Sequence, residues 1–253
     1  TQLTPLVGRQ REIEELLAYL QQPQPRLLTL VGPGGIGKTR LAQHVGALQM
    51  AAFADGVFFV RLEAINDPAA IAAEIAAVIG LRLQGNQPQQ ELLQLLHSRQ
   101  MLLLIDNFEH LLTGSLLVAA LLEATEQLKI IVTSRERLNI PGEQIFIVDG
   151  LSYPALEELE KAESSTAVRL FVESGQRVLP GFQLNATTLP GIVRICRMLQ
   201  GMPLALELAA AWLEILPVAE IADEIARSVD FLTVDWRRTL PTRQQSMRAV
   251  FAW

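Results

Sequence analysis

The sequence predicts an α/β protein: a five-stranded parallel sheet flanked by helices, followed by a small all-α domain. Three observations predict it. Short apolar runs alternate with amphipathic stretches up to about residue 150, the pattern of a parallel sheet covered on both faces. One of those runs, Leu27-Leu28-Thr29-Leu30-Val31, leads straight into Gly32-Pro33-Gly34-Gly35-Ile36-Gly37-Lys38-Thr39, which fits G-x-x-x-x-G-K-[ST]. After Gly150 no run reads as a strand, and helical periodicity takes over.

The elements follow in order. Leu3 to Arg9 reads as an extended lead-in. Gln10 to Leu20 is an amphipathic helix with Ile13, Leu16, Leu17 and Leu20 on one face. Arg26 to Val31 is the first strand. The glycine-rich loop and its helix run to about Ala52. Val57 to Leu62 reads as a short buried strand. Asp67-Pro68 starts a helix, Asp as N-cap and Pro at the first helical position, and Gly80 ends it. Gln89 to Ser98 is a further short helix. Met101 to Ile105 is a third strand that delivers Asp106. Leu116 to Gln127 is helical. Lys129 to Thr133 is a fourth strand that delivers Ser134 and Arg135, and Ile145 to Val148 is a fifth. Helices then cover Ser165–Val178, Leu189–Leu199, Pro203–Leu216 and Ala219–Val229. The domains read as 1–150, the sheet and its helices; 151–232, helical; and 233–253, a polar and basic linker with the start of a further helix.

Half of the 253 residues are hydrophobic and 19% are charged, which supports a real core and argues against disorder. A net charge of −6 argues against a nucleic-acid surface spread over the whole chain. Cys196 is the only cysteine, so there is no intrachain disulfide and no cysteine-based zinc site; a reducing, cytoplasmic setting fits. No signal peptide opens the chain and no apolar run is long enough to span a membrane. The start without Met and the stop at Trp253, read as mid-helix, suggest a piece of a longer protein.

The chemistry of the glycine-rich loop explains its composition. Gly32, Gly34, Gly35 and Gly37 let backbone N–H groups approach phosphate oxygens, and the following helix aims its positive end at the same place. Ile36 and Arg40 flank those groups. Lys38 would reach the β- and γ-phosphates, and the Thr39 hydroxyl would ligate Mg²⁺. Asp106, at the end of an apolar strand, stands where a second metal-holding carboxylate belongs. Asn107 follows it, where vigorous ATPases of this class carry a carboxylate; an amide accepts no proton. Glu109 is the substitute within reach. Arg135 ends the next strand, placed to contact a γ-phosphate, with Arg137 as a neighbouring alternative. His44 reads as structural, and His97 and His110 as surface or partly buried side chains rather than catalytic ones.

Five stretches occur in order: Pro5-Leu6-Val7-Gly8-Arg9, Gly32 to Thr39, Leu102 to Asp106, Thr133-Ser134-Arg135, and Gly201-Met202-Pro203-Leu204-Ala205. In this arrangement the chain resembles a STAND-class signal-transduction ATPase, specifically the NB-ARC-like nucleotide-binding oligomerisation module of its bacterial branch. The resemblance implies that the segment Leu6, Val7, Gly8 and Arg9 lies against adenine. It implies that Pro203, with Leu204, packs on the base, and that Arg135 senses the γ-phosphate. It also implies that 233–253 begin a winged-helix domain.

The function expected from residues and resemblance together is an adenine-nucleotide-controlled switch. ADP would hold a closed monomer by bridging the sheet domain and the helical domain. ATP would permit homo-oligomers, and slow Mg²⁺-dependent hydrolysis would reset the switch. Sensor and effector domains would lie outside this chain. The rivals are an AAA+-type motor or loader with steady turnover, for which Arg237, Arg238 and Arg243 are candidate arginine fingers; a small-molecule kinase; and a nucleic-acid-binding regulator using the basic stretch 237–248.

Overall fold

In a computed structural model the chain is described over residues 6–85, 87–155, 160, 162 and 164–232. Five strands, β1 (Leu27–Val31), β2 (Val57–Arg61), β3 (Leu102–Asp106), β4 (Lys129–Ser134) and β5 (Glu143–Ile147), form one parallel sheet in the order β2-β3-β4-β1-β5. The register sets Ile105 beside Val132 and Val31 beside both Ser134 and Ile147. The C-terminal ends of β1, β3 and β4 therefore lie close together, where an open α/β sheet holds its ligands.

Around the sheet run α1 (Gln10–Gln21), α2 (Lys38–Leu48), α3 (Ile71–Ile79), α4 (Pro88–Leu96) and α5 (Ser115–Ala124). Alternation along the strands gives two apolar faces. Leu27, Leu103, Ile105, Ile130 and Val132 pack with Ile71, Ile75, Leu92, Leu96, Val118 and Leu121 of α3, α4 and α5. On α2, Gly46 permits close packing: a Cβ there would stand 2.5 Å from Leu104 Cδ1. Asp67 accepts from the Ala69 N–H at 2.9 Å as an N-cap, and Gly80, at φ +79°, closes α3 as expected. Arg26 closes the C-terminus of α5 by donating to the carbonyls of Leu122 and Thr125, satisfying acceptors that the helix cannot. These elements, residues 9–32 and 38–148, form one compact unit.

Residues 33–37 group instead with 6–8 and 149–232 in a second compact unit. It contains α6 (Thr166–Val178), α7 (Leu189–Met198), α8 (Pro203–Ala211) and α9 (Val218–Arg227). Phe171 and Phe182 meet edge to face at 6.2 Å within its core. Cys196 is fully buried there, and burial pushes its thiol up to about 12.

Four expectations change. Val57–Arg61 is an edge strand: most of its side chains are only half-buried, because β3 covers one side alone. The lead-in is not extended at its end, since Gly8 and Arg9 both take φ near +70°. The helix after the glycine-rich loop stops at Leu48, where Gln49 N–H turns back to Val45 and Gly46 carbonyls. The stretch after Pro203 is α-helical only to Ala211 and tightens to a 3₁₀ turn over Trp212–Glu214. The linker and further helix expected over 233–253, and Pro5, lie outside the described residues. Among the described residues no helix is long and apolar enough to cross a membrane.

One buried hydroxyl supplies a stability prediction. Thr29 is fully buried in the middle of β1, and among the described residues its Oγ1 has no hydrogen-bond partner. An unsatisfied buried hydroxyl costs roughly 1–3 kcal/mol. Thr29→Val keeps the shape and removes the polar atom, so urea denaturation should show a gain of about 1 kcal/mol. A loss of stability would mean that an ordered water satisfies this hydroxyl.

Candidate functional site

The glycine-rich loop emerges from β1 and enters α2, the strand–loop–helix context its phosphate chemistry requires. Gly35 and Gly37 have φ of +74° and +100°, so both positions need glycine on backbone grounds. Around a Cβ built on Gly37 there is no atom within 4 Å; torsion, not crowding, demands glycine there.

Within the sheet unit the side chains converge. Lys38 is buried, and its Nζ donates to the Gly32 carbonyl at 2.7 Å. Burial lowers its pKa to about 8; the nearby Glu109 and Asp106 carboxylates oppose the shift and Arg135 adds to it. Thr39 Oγ1 donates to Asp106 Oδ1 at 2.6 Å. Thr133 Oγ1 donates to the same oxygen at 2.6 Å and accepts from the Asn107 N–H at 3.0 Å. Asn107 itself is left-handed, at φ +66°, which turns the chain sharply after β3 into the short 3₁₀ turn Phe108–His110. That turn carries Glu109, and Arg135 Nε lies 3.3 Å from Glu109 Oε1. His110 sits apart from this cluster, its Nε2 donating to the carbonyls of Leu62 and Ile65. His97 is likewise structural, its Nδ1 at 2.6 Å from the Ala124 carbonyl.

Lys38, Thr39, Asp106, Glu109 and Arg135 thus lie in one cluster. The sequence reading missed Thr133. Its signal was present, a hydroxyl one strand over from Asp106, but only the β3–β4 pairing shows that the two meet. Arg9 is buried and pairs with Glu12 at 2.6 Å. Arg40, at the start of α2, is half-buried.

The other candidates belong to the helical unit. Val7 is buried and Leu6 half-buried. Gly8 lies against Thr166: a Cβ at Gly8 would stand 2.9 Å from Thr166 Cβ and Cγ2. Pro203 opens α8, and the Leu204 N–H donates to the Gly35 carbonyl at 3.2 Å. Gly34 and Ile36 complete the loop, with the Ile36 N–H reaching the Pro33 carbonyl at 3.4 Å.

The donor set fits a metal carried by a nucleotide. Among the described residues no three His, Cys, Asp or Glu side chains cluster as a self-sufficient metal cage. One hydroxyl and one carboxylate, Thr39 and Asp106, are what a phosphate-bound Mg²⁺ needs from a protein.

Comparison with known proteins agrees with this geometry. Residues 21–141 match the family profile described as an AAA domain. The chain is 37% identical over 232 residues to a protein of Mycobacterium tuberculosis named, provisionally, an HTH-type transcriptional regulator. The match covers 91% of this chain and 25% of that one, so the chain spans about a quarter of that relative's length. Among solved structures, it superposes on a signal transduction ATPase with numerous domains (STAND) from Pyrococcus horikoshii that bears a tetratricopeptide repeat sensor. There the TM-score is 0.51 and the identity 17%, over 90% of this chain and 33% of the other. It superposes on the ORC2 protein of Aeropyrum pernix, described in ADPNP–ADP complexes, with a TM-score of 0.54 and 16% identity, over 90% of this chain and 70% of the other. At such identities the likeness concerns the fold. The loop, the Thr39–Asp106–Thr133 cluster and the match over residues 21–141 together identify a P-loop NTPase domain, similar over that stretch to the AAA domain.

Proposed function

We propose that this chain is an adenine-nucleotide-controlled signalling switch, closed and monomeric with ADP, competent to oligomerise with ATP, and slow to hydrolyse. The observation that carries the reading is the hydrogen bond from the Leu204 N–H to the Gly35 carbonyl. Within the helical unit the tip of the glycine-rich loop is tied to the first turn of α8, and this bond supports a reading in which what the loop holds would bias that helix. A nucleotide moves such an equilibrium only through different affinities for the two states.

Lys38 would donate to the β- and γ-phosphates, and its protonation is favoured once phosphate charge lies beside it. Thr39 and Asp106 are the residues that would hold Mg²⁺, which when bound supplies positive charge to offset that of the phosphates. Thr133 fixes the Asp106 carboxylate. Arg135 would contact the γ-phosphate. Leu6, Val7 and Arg9, with Pro203 and Leu204, would contact the base. Asn107 cannot take a proton from water, which leaves Glu109 to orient it; a carboxylate on the following 3₁₀ turn, engaged by Arg135, supports slow turnover. Residues 1–150 and 151–232 would be the nucleotide-binding and helical domains, with 233–253 leading into a winged-helix domain. Sensor and effector parts would lie in the remainder of a longer protein, as the greater length of the matched relative supports.

The test is to denature the purified protein, identify any released nucleotide by chromatography, and measure molar mass by light scattering with ADP and with a non-hydrolysable ATP analogue. Retained stoichiometric ADP, a monomer with ADP and a larger species with the analogue are expected. An empty site with turnover above about 1 s⁻¹, and no change in mass, would point instead to an AAA+-type motor. The AAA profile and the ORC-like structural neighbour favour that second reading.

A further inference from the structure

The Arg135–Glu109 contact carries a consequence beyond slow turnover. Arg135 directly follows β4 and Glu109 lies on the turn after β3, so sheet pairing brings opposite charges from separate segments to 3.3 Å. Neither is a freely waving surface charge: the Arg135 side chain is 35% exposed and that of Glu109 20%. Both also act on Lys38, Glu109 raising and Arg135 lowering its proton affinity, so the pair lies within electrostatic reach of the lysine that follows the glycine-rich loop.

We infer that Glu109 is a specificity-determining residue that sets the preference for ATP over ADP by competing with the γ-phosphate for Arg135. Without a γ-phosphate, Arg135 pairs with Glu109. A γ-phosphate must draw the guanidinium from that carboxylate, so part of its attraction is offset by the broken ion pair. ADP ends at the β-phosphate and leaves the pair intact. Glu109 therefore weakens ATP binding selectively. The same exchange frees the Glu109 carboxylate for water only when ATP is present. This inference rests on the P-loop assignment and on Arg135 facing the γ-phosphate; it does not depend on oligomerisation.

The geometry fixes the sign. Glu109→Gln keeps the size and removes the charge, so Arg135 is released. Affinity for a non-hydrolysable ATP analogue should rise about fivefold, the scale of a partly exposed ion pair. Affinity for ADP should stay within a factor of two of the wild type. Arg135→Gln should weaken the analogue about tenfold and leave ADP unchanged. In the Arg135→Gln background, adding Glu109→Gln should then have no further effect, since the competitor has nothing left to hold.

Isothermal titration with ADP and the ATP analogue, on the four proteins of this cycle, measures all of it. Thermal melts confirm that each variant is folded; if Glu109→Gln is not, Glu109→Ala, with the same charge removed, takes its place. Selective tightening for the analogue that vanishes without Arg135 supports the inference. Equal changes for both nucleotides, no change, or tightening that survives loss of Arg135 overturns it. Binding of neither nucleotide to the wild type would overturn the switch reading and this inference together. An unchanged molar mass with both nucleotides would overturn the switch reading alone.

Discussion

Lys38→Met is expected to stabilise the nucleotide-free protein and at the same time to abolish its response to nucleotide. Burial lowers the Lys38 pKa from 10.5 to about 8. At roughly 1.4 kcal/mol per pH unit, holding this ammonium protonated at neutral pH costs the fold on the order of 3 kcal/mol. Methionine removes that cost and gives up the hydrogen bond to the Gly32 carbonyl, worth about 1–2 kcal/mol. The net gain should be about 1–2 kcal/mol in urea denaturation at pH 7.

The sign with pH follows from proton counting. The folded pKa lies below the unfolded one, so between about 8 and 10.5 the unfolded chain holds more protons and the wild type gains stability as pH rises. The stability advantage of Lys38→Met should therefore shrink across that window. Nucleotide binding reverses the preference, because phosphates favour the ammonium. Affinity for ADP should be full below about pH 8 and fall above it, with proton uptake on binding near pH 8. In Lys38→Met, affinity should drop about 100-fold, the worth of a charge-assisted contact, and its pH dependence should flatten. Calorimetry in two buffers of different ionisation enthalpy measures the proton uptake. Wild-type-like ADP binding by the Met variant would remove Lys38 from the phosphate site.

Gly201→Ala should be the most damaging small substitution in the helical unit. Gly201 sits at φ +64° between α7 and α8, and its carbonyl accepts from the Leu151 N–H at 2.8 Å. A Cβ there would stand 2.0 Å from the Leu151 carbonyl oxygen and 2.8 Å from its nitrogen. Both obstacles are backbone, which no rotamer change relieves. A Cβ built on Gly150 would likewise stand 2.0 Å from the Gln200 carbonyl oxygen, so the two segments pack glycine against backbone in both directions. Left-handed strain in alanine costs about 1–2 kcal/mol, and separating the segments adds the lost hydrogen bond and packing. A total loss above about 3 kcal/mol is expected. Cys196, buried in α7, reports it: its native thiol should resist labelling, and in Gly201→Ala the rate should rise by about 100-fold or more. Gly181→Ala, where nothing lies within 4 Å, should label as the wild type does. Equal labelling in Gly201→Ala would mean the two segments separate without opening α7.

The sequence by itself determined the strands, their delivery of Asp106 and Arg135, and the phosphate-binding loop. Each is a local signal: an apolar run of strand length, a charged residue where the run ends, and glycines where φ must be positive. The capped start at Asp67 and stop at Gly80 were legible for the same reason. Tertiary structure alone decided which strands are neighbours. The order β2-β3-β4-β1-β5 is set by crossover packing between residues far apart in the chain, and no periodicity encodes it. That order made Val57–Arg61 a half-covered edge where its apolar composition suggested a buried strand. It also placed the Thr133 hydroxyl on Asp106 and Glu109 beside Arg135. The role of Gly201 was hidden similarly, because the backbone it must clear is fifty residues upstream, at Leu151. Local chemistry wrote the loop and the strand ends into the sequence; the contacts that tune them arise only when distant segments pair.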